Sequence, residues 1–418
     1  MIEFAYAERD ITPLPGEELA GYGYYINRRA DTILDPLYLR VCGFRQGVQT
    51  AVLIQFDLVG LQADHVEELR GRLQRAHGLP PQAVLFHCTH THTGPSSKTT
   101  FGCGEMTQTW RGILTKHVLQ TVDEALKAWR PVTRARWFDQ DFEGIAINRD
   151  DPHGPVDSRV RGLLIERPPA APVVLVNYAC HPVAIGVRRA YSADYPGAVV
   201  RRLAAAGYQC IFLTAPCGDL DPIVSTVVWG RGTEDALRLY GNRIGDAVER
   251  GIAGGEDILL DEVHFNAAAV ALNVQLPVRE QCEKAAAQAL VDLEKDPANG
   301  LALYMLNGSC RWIEMLDSGR YGGEQPVEVQ SLALGPVVIA GLAVELFSEL
   351  ATTIRERSGL RRLLLAGTSN AVVGYVVTRR SIERGSYASQ SARCSGRFSQ
   401  QPGSGEAFAE AVADFLSK

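Results

Sequence analysis

Three of the chain's nine histidines fall within six residues, in Phe86-His87-Cys88-Thr89-His90-Thr91-His92-Thr93-Gly94-Pro95, directly after an apolar run. Neutral imidazole is the commonest metal ligand, and alternation along an extended segment would send His90 and His92 to the same side. One could then bind a metal while the other faces a substrate; His87 reads as structural. A further histidine, His181, closes a second apolar run in Val174-Leu175-Val176-Asn177-Tyr178-Ala179-Cys180-His181-Pro182. A catalytic zinc site needs about three protein ligands and an open position, so two histidines call for an oxygen ligand from elsewhere. Glu345 is the candidate. It lies in the apolar run Gly341-Leu342-Ala343-Val344-Glu345-Leu346-Phe347, where burial without a partner is costly. Its alternative reading is a carboxylate at a helix N-terminus, favoured by the helix dipole. No GxSxG elbow offers a serine nucleophile in place of a metal.

These residues require elements that bring their strand ends together. Short apolar runs bounded by turn residues predict strands at Thr50–Phe56, Ala83–Phe86, Pro172–Tyr178, Gln209–Thr214, Pro336–Ala340 and Arg362–Ala366. Helical periodicity predicts helices at Asp64–Ala76, Trp110–Trp129, Pro196–Ala206, Thr233–Arg250, Arg279–Lys295 and Leu346–Arg357. Three stretches share one plan of strand, helix, glycine (Gly78, Gly207, Gly359) and strand. In each, a polar, ligand-capable residue follows the carboxyl end of both strands. The expected fold class is mixed α/β, with layered sheets and helices, repeated β-α-β units and the metal site at the strands' carboxyl ends. No linker divides the chain, so one domain over residues 1–418 is expected. Ser399–Gly405 reads as a mobile loop before a closing helix, and loops at Ser96–Glu105 and Ile223–Gly232 as lids.

Composition narrows the class. The 418 residues are 46% hydrophobic and 22% charged, values of a globular protein rather than a disordered one. A net charge of −6 argues against a nucleic-acid partner, and no apolar stretch is long enough to predict a transmembrane segment. Nine cysteines without a CxxC pair, and an N-terminus without a signal-peptide pattern, suit reduced thiols in the cytoplasm.

His90-Thr91-His92-Thr93-Gly94-Pro95 resembles the HTHSGP signature of the neutral, non-lysosomal ceramidases. Arg9-Asp10-Ile11-Thr12-Pro13, Asp35-Pro36-Leu37-Tyr38-Leu39-Arg40, Ile147-Asn148-Arg149, Cys180-His181-Pro182, Gly218-Asp219 with Pro222, and Gly367-Thr368-Ser369-Asn370 through Tyr375 follow in the family's order. The resemblance implies a zinc amidase acting on a small molecule with an acyl group, with one Zn2+ per chain. It implies His90, His181, Glu345 and Tyr375 as zinc ligands, with His92 and Arg149 flanking the scissile carbonyl. Tyr375 could instead donate a hydrogen bond to the reacting group. Asp194, within a Ser-x-Asp segment like the family's, would orient a ligand histidine or cap the helix beginning near Pro196. Asp57 and Asp219 are expected in similar support, and Asp221 shares the ambiguity of Asp219. The chain departs from the family at Gly218-Asp219-Leu220-Asp221-Pro222, where ceramidases carry a Gly-Asp-Val-Ser-Pro-like segment, and at Ala343-Val344, in place of Pro-Gly. Its length leaves no room for the ceramidases' immunoglobulin-like C-terminal domain. The same chemistry would serve an ester, a lactone or an acylated sugar, and a non-catalytic metal-binding scaffold is the alternative from another class.

Overall fold

The computed structural model describes residues 2–23, 25–98, 104–227, 230–319, 323–390 and 399–418. Three five-stranded sheets dominate it, each built from a consecutive stretch of chain. From edge to edge, the first runs Val84–Cys88, Gln49–Phe56, Tyr38–Gln46, Glu3–Asp10 and Arg130–Pro131. The second runs Gln209–Thr214, Ala170–Tyr178, Arg159–Arg167, Arg134–Asp141 and Glu256–Ile258. The third runs Leu363–Ala366, Val337–Leu342, Glu324–Leu334, Val263–Gln275 and Ser399–Gln400.

The pairing is the same each time. Two antiparallel contacts lead into a parallel pair closed by a crossover helix: Ala63–His77, Asp194–Ala205 and Ser348–Ser358. The repeated plan read from the sequence is therefore present. Gly78 and Gly359 cap two of these helices with φ of 69° and 66°, and Gly207 follows the third with φ 90°. This left-handed turn is cheapest for a residue without Cβ.

The parallel strands are covered on both sides, so their side chains read as continuous apolar runs rather than alternating ones. Their inner faces meet in one core cluster, with Leu53 and Leu85 from the first sheet, Leu175 and Leu213 from the second, and Ile339 and Leu364 from the third. The carboxyl ends of all three parallel pairs are thereby gathered in one region.

Several boundaries differ from expectation. The second helix stops at Ala125, and the helix after Glu345 begins only at Ser348. Ser399–Gln400 is not a loop but a strand paired with Val274–Gln275, and the closing helix starts at Ser404. A helix at Gly300–Ser318, packed with Arg279–Lys295 between two strands of the third sheet, was not anticipated. Of the two expected lids, residues 99–103 and 228–229 lie outside the described residues, and Ile223–Val227 is helical. Among the described residues, no helix is long and apolar enough to cross a membrane.

Candidate metal centre and active site

His90 follows the edge strand of the first sheet, but the strand ends at Cys88 and His90 itself adopts φ 71°. Its N–H bonds the carbonyl of Leu58 (2.9 Å), and its Nδ1 lies 2.6 Å from the carbonyl of Val59. His181 follows Ala170–Tyr178, the inner strand of the second sheet's parallel pair, and its Nδ1 lies 2.7 Å from the carbonyl of Cys217. A carbonyl can only accept, so both Nδ1 atoms carry the proton and both Nε2 atoms present a lone pair. Glu345 Oε2 stands 3.3 Å from His90 Nε2 and 3.6 Å from His181 Nε2. Among the described residues, His90 Nε2 has no polar partner besides this carboxylate. The three side chains are 3%, 0% and 7% exposed.

Glu345 arrives on a two-residue strand, Glu345–Leu346, that pairs in parallel with Tyr375–Val376 and sets Glu345 opposite Tyr375. It is thus not a carboxylate of the helix that follows. Burial would raise its carboxyl pKa, but the two imidazoles win and hold it well below the carboxylate range. Burial also keeps His92 and His181 below the usual imidazole range, which favours neutral rings. Candidate ligand atoms of His90, His92 and His181 lie within 4.8 Å of one another. Two lone-pair nitrogens of fixed tautomer and one carboxylate are a donor set that fits a divalent transition metal such as zinc.

His90 and His92 do face one another, with ring centroids 4.9 Å apart, but not through strand alternation. The left-handed turn at His90 folds the chain back, and residues 92 and 93 form a turn. His92 packs edge-on against Tyr22 (5.1 Å), and neither of its ring nitrogens has a hydrogen-bond partner among the described residues. Arg28 Nη2 donates to the His92 carbonyl at 2.6 Å. A Cβ on Gly21 would lie 2.4 Å from His92 Cγ, so only glycine permits this approach. Sequence reasoning missed Tyr22 and Arg28; the glycine-flanked tyrosine of Gly21-Tyr22-Gly23 was the available signal.

Arg149 follows a short strand, Ala146–Asn148, paired with Leu220–Pro222. Its Nη2 donates to Tyr375 Oη at 3.0 Å and to the Gly218 carbonyl at 2.8 Å, and approaches His181 Nε2 to 3.5 Å. Its Nη1 donates to Asp221 Oδ1 at 3.0 Å. Burial opposes the guanidinium charge, but Asp221 and the neighbouring phenols preserve it. Burial also raises the Tyr375 phenol, reinforced by the Glu345 charge.

The three aspartates expected in support touch none of the imidazoles. Asp194, at φ 53°, accepts backbone N–H groups from Ala184, Ile185 and Tyr195 and so clamps the loop leaving His181. Burial pushes it up to about 6, against those three donors. The helix already starts at Asp194, so the expected cap before Pro196 is displaced. Asp57 pairs with Arg40 (3.0 Å), both buried, and accepts the Tyr38 N–H, fixing the strand end that carries Leu58 and Val59. Removing one partner of such a pair costs about 3–5 kcal/mol. Asp219 accepts from Ser348 and Asn148, joining the segments that carry Glu345 and Arg149. His87 is structural, as expected: its Nε2 accepts the Thr214 N–H at 3.0 Å.

No family profile matches the sequence, and no curated protein matches it. Solved structures do. The neutral ceramidase of Pseudomonas aeruginosa superposes with a TM-score of 0.76 at 15% identity, over 100% of this chain and 74% of its own. A ceramidase complexed with C2 gives 0.79 at 16%, over 100% of this chain and 75% of its own. The fold is ceramidase-like. Within this ceramidase-like fold the histidines, glutamate, arginine and tyrosine named above come from three different sheet units, and converge at the strand ends where open α/β sheets place their sites.

Proposed function

We propose that the chain is a zinc-dependent hydrolase of N-acyl substrates, ceramide-like or smaller, acting as a single catalytic domain over residues 1–418. The observation that carries this reading is the pair of imidazoles whose Nδ1 protons are committed to backbone carbonyls, leaving two Nε2 lone pairs beside the Glu345 carboxylate. His90, His181 and Glu345 would hold the ion, with Tyr375 beside them. The ion, when bound, supplies a water of lowered pKa and a polarised carbonyl.

The remaining roles belong to the chain's own groups. Arg149 Nη2, already 3.0 Å from Tyr375 Oη, is set to hydrogen-bond the carbonyl oxygen as its negative charge grows. Tyr375 accepts from Arg149, which leaves its own hydroxyl proton available for the same oxygen. His92 is neutral and has two unpartnered ring nitrogens, so it can take a proton from the attacking water and return it to the departing amine. Burial of this group keeps bulk water out and strengthens each of these interactions.

The test is elemental analysis of the purified protein, followed by hydrolysis assays on N-acyl substrates with and without a chelator. About one zinc per chain, and turnover that chelation abolishes and zinc restores, is expected. Absence of bound metal under zinc-replete conditions, or turnover indifferent to chelation, would overturn the reading.

A further inference from the structure

Arg149 and Tyr375 donate, and the carboxylates around them are largely committed. Glu345 faces His90 and His181, while both oxygens of Asp219 accept from Ser348 and Asn148. Asp221 is different. It is 1% exposed, its Oδ1 accepts from Arg149 Nη1, and its Oδ2 has no hydrogen-bond partner among the described residues. A buried carboxylate oxygen left without a donor costs about 1–3 kcal/mol or more, so it calls for a partner that arrives from outside.

Its position says what that partner meets. Asp221 lies on the strand Leu220–Pro222, whose first carbonyl accepts the His181 N–H at 2.9 Å. The guanidinium it holds reaches both Tyr375 Oη and His181 Nε2. The Tyr22 phenol, which packs on His92, is raised chiefly by burial and then by the Asp194 and Asp221 charges. Through Arg149, Asp221 is therefore set on the arginine and tyrosine side of the site, beside the Tyr375 hydroxyl and the His181 ring that the guanidinium reaches.

We infer that Asp221 is a specificity-determining residue, whose Oδ1 orients Arg149 while Oδ2 accepts the N–H of a secondary amide. This rests on the hydrolase reading above and sharpens it. An ester of the same acyl group has an oxygen in place of that N–H and leaves Oδ2 unpaired. Sites built to bond a substrate N–H discriminate strongly against analogues that lack it. The N–H stays on nitrogen during attack, so the contact serves recognition and orientation, not proton transfer.

The test compares the p-nitroanilide and the p-nitrophenyl ester of one medium-chain fatty acid, with the zinc-loaded protein and its Asp221→Asn variant. In the variant one amide atom can still accept from Arg149, but an NH2 replaces Oδ2 and opposes the substrate N–H. The ratio of anilide to ester kcat/KM should fall roughly 10- to 100-fold, the effect of one lost charge-assisted hydrogen bond, with zinc content unchanged. An unchanged ratio, with both substrates losing equally, would mean that Asp221 acts through Arg149 alone and would overturn the inference. A second measurement needs no variant: in the unaltered protein, undiminished turnover of the N-methyl anilide would also overturn it. No turnover of either substrate by the zinc-loaded protein would sink the hydrolase reading and this inference together.

Discussion

The carboxylate of Glu345 stands 3.3 Å from Nε2 of His90, although the two are carried by different sheet units of the chain. With both Nδ1 protons committed to backbone carbonyls, the two Nε2 atoms and this carboxylate converge as a donor set for one cation. His90→Ala and His181→Ala should therefore each lower zinc content from about one per chain to near zero while circular dichroism stays unchanged. Full zinc occupancy in either variant would rule out the proposed ligand set.

Arg149→Ala removes the donor next to Tyr375 and leaves His90, His181 and Glu345 in place. It should keep its zinc and lose about 10²–10³ in kcat, the usual effect of deleting one preorganised donor to a developing oxyanion. Steady-state kinetics on the same N-acyl substrate, with metal analysis alongside, decides the matter. Unchanged kcat would remove Arg149 from the mechanism.

His87 gives the fold a pH dependence of known sign. Burial depresses it to about 3 from an ordinary 6.5, and its Nε2 must stay unprotonated to accept the Thr214 N–H. In this window the unfolded chain binds the proton and the native one does not. The stability due to neutral His87 is thus complete above pH 6.5 and is lost as pH falls towards 3, a change of the order of 5 kcal/mol. Urea unfolding between pH 7 and pH 4 should show a shallower pH slope for His87→Gln than for the unaltered chain. Equal slopes would contradict this.

Gly218→Ala tests how closely the units must approach. A Cβ there would sit 2.6 Å from the Glu345 carbonyl oxygen, where the Gly218 N–H also bonds the Leu346 carbonyl. The backbone carrying Glu345 must retreat, and zinc affinity should fall at least about tenfold, as when groups that orient a ligand are disturbed. Competition with a chromogenic chelator measures it; wild-type affinity would mean the strands part without moving the carboxylate.

The strands that carry the site were legible because burial on both faces leaves uninterrupted apolar runs, as at Gln209–Thr214, whose limits agree with the sequence reading. The outer strands were not. Val263–Gln275 is alternately buried and exposed and its middle is alanine-rich, a composition with little strand preference. His90, His181 and Glu345 could be named from their place after apolar runs. The turn at His90 could not, because a left-handed histidine leaves no mark in composition, and it is held by the carbonyls of Leu58 and Val59. Nor could the pairing of Asp221 with Arg149, residues 72 apart in sequence, which depends on two short strands meeting rather than on local pattern.

Because each sheet is made from its own consecutive stretch of chain, each can gather its strands using mostly local contacts. The candidate ligands are divided among all three: His90 from the first, His181 from the second, Glu345 from the third. No single unit holds the whole set, since the first carries His90 and His92, the second His181, and the third Glu345 and Tyr375, so none could chelate an ion strongly before docking with its neighbours. Metal capture would then be the last event of assembly, and a spectroscopic ion such as cobalt would report the moment at which the three parts of the polypeptide become one structure.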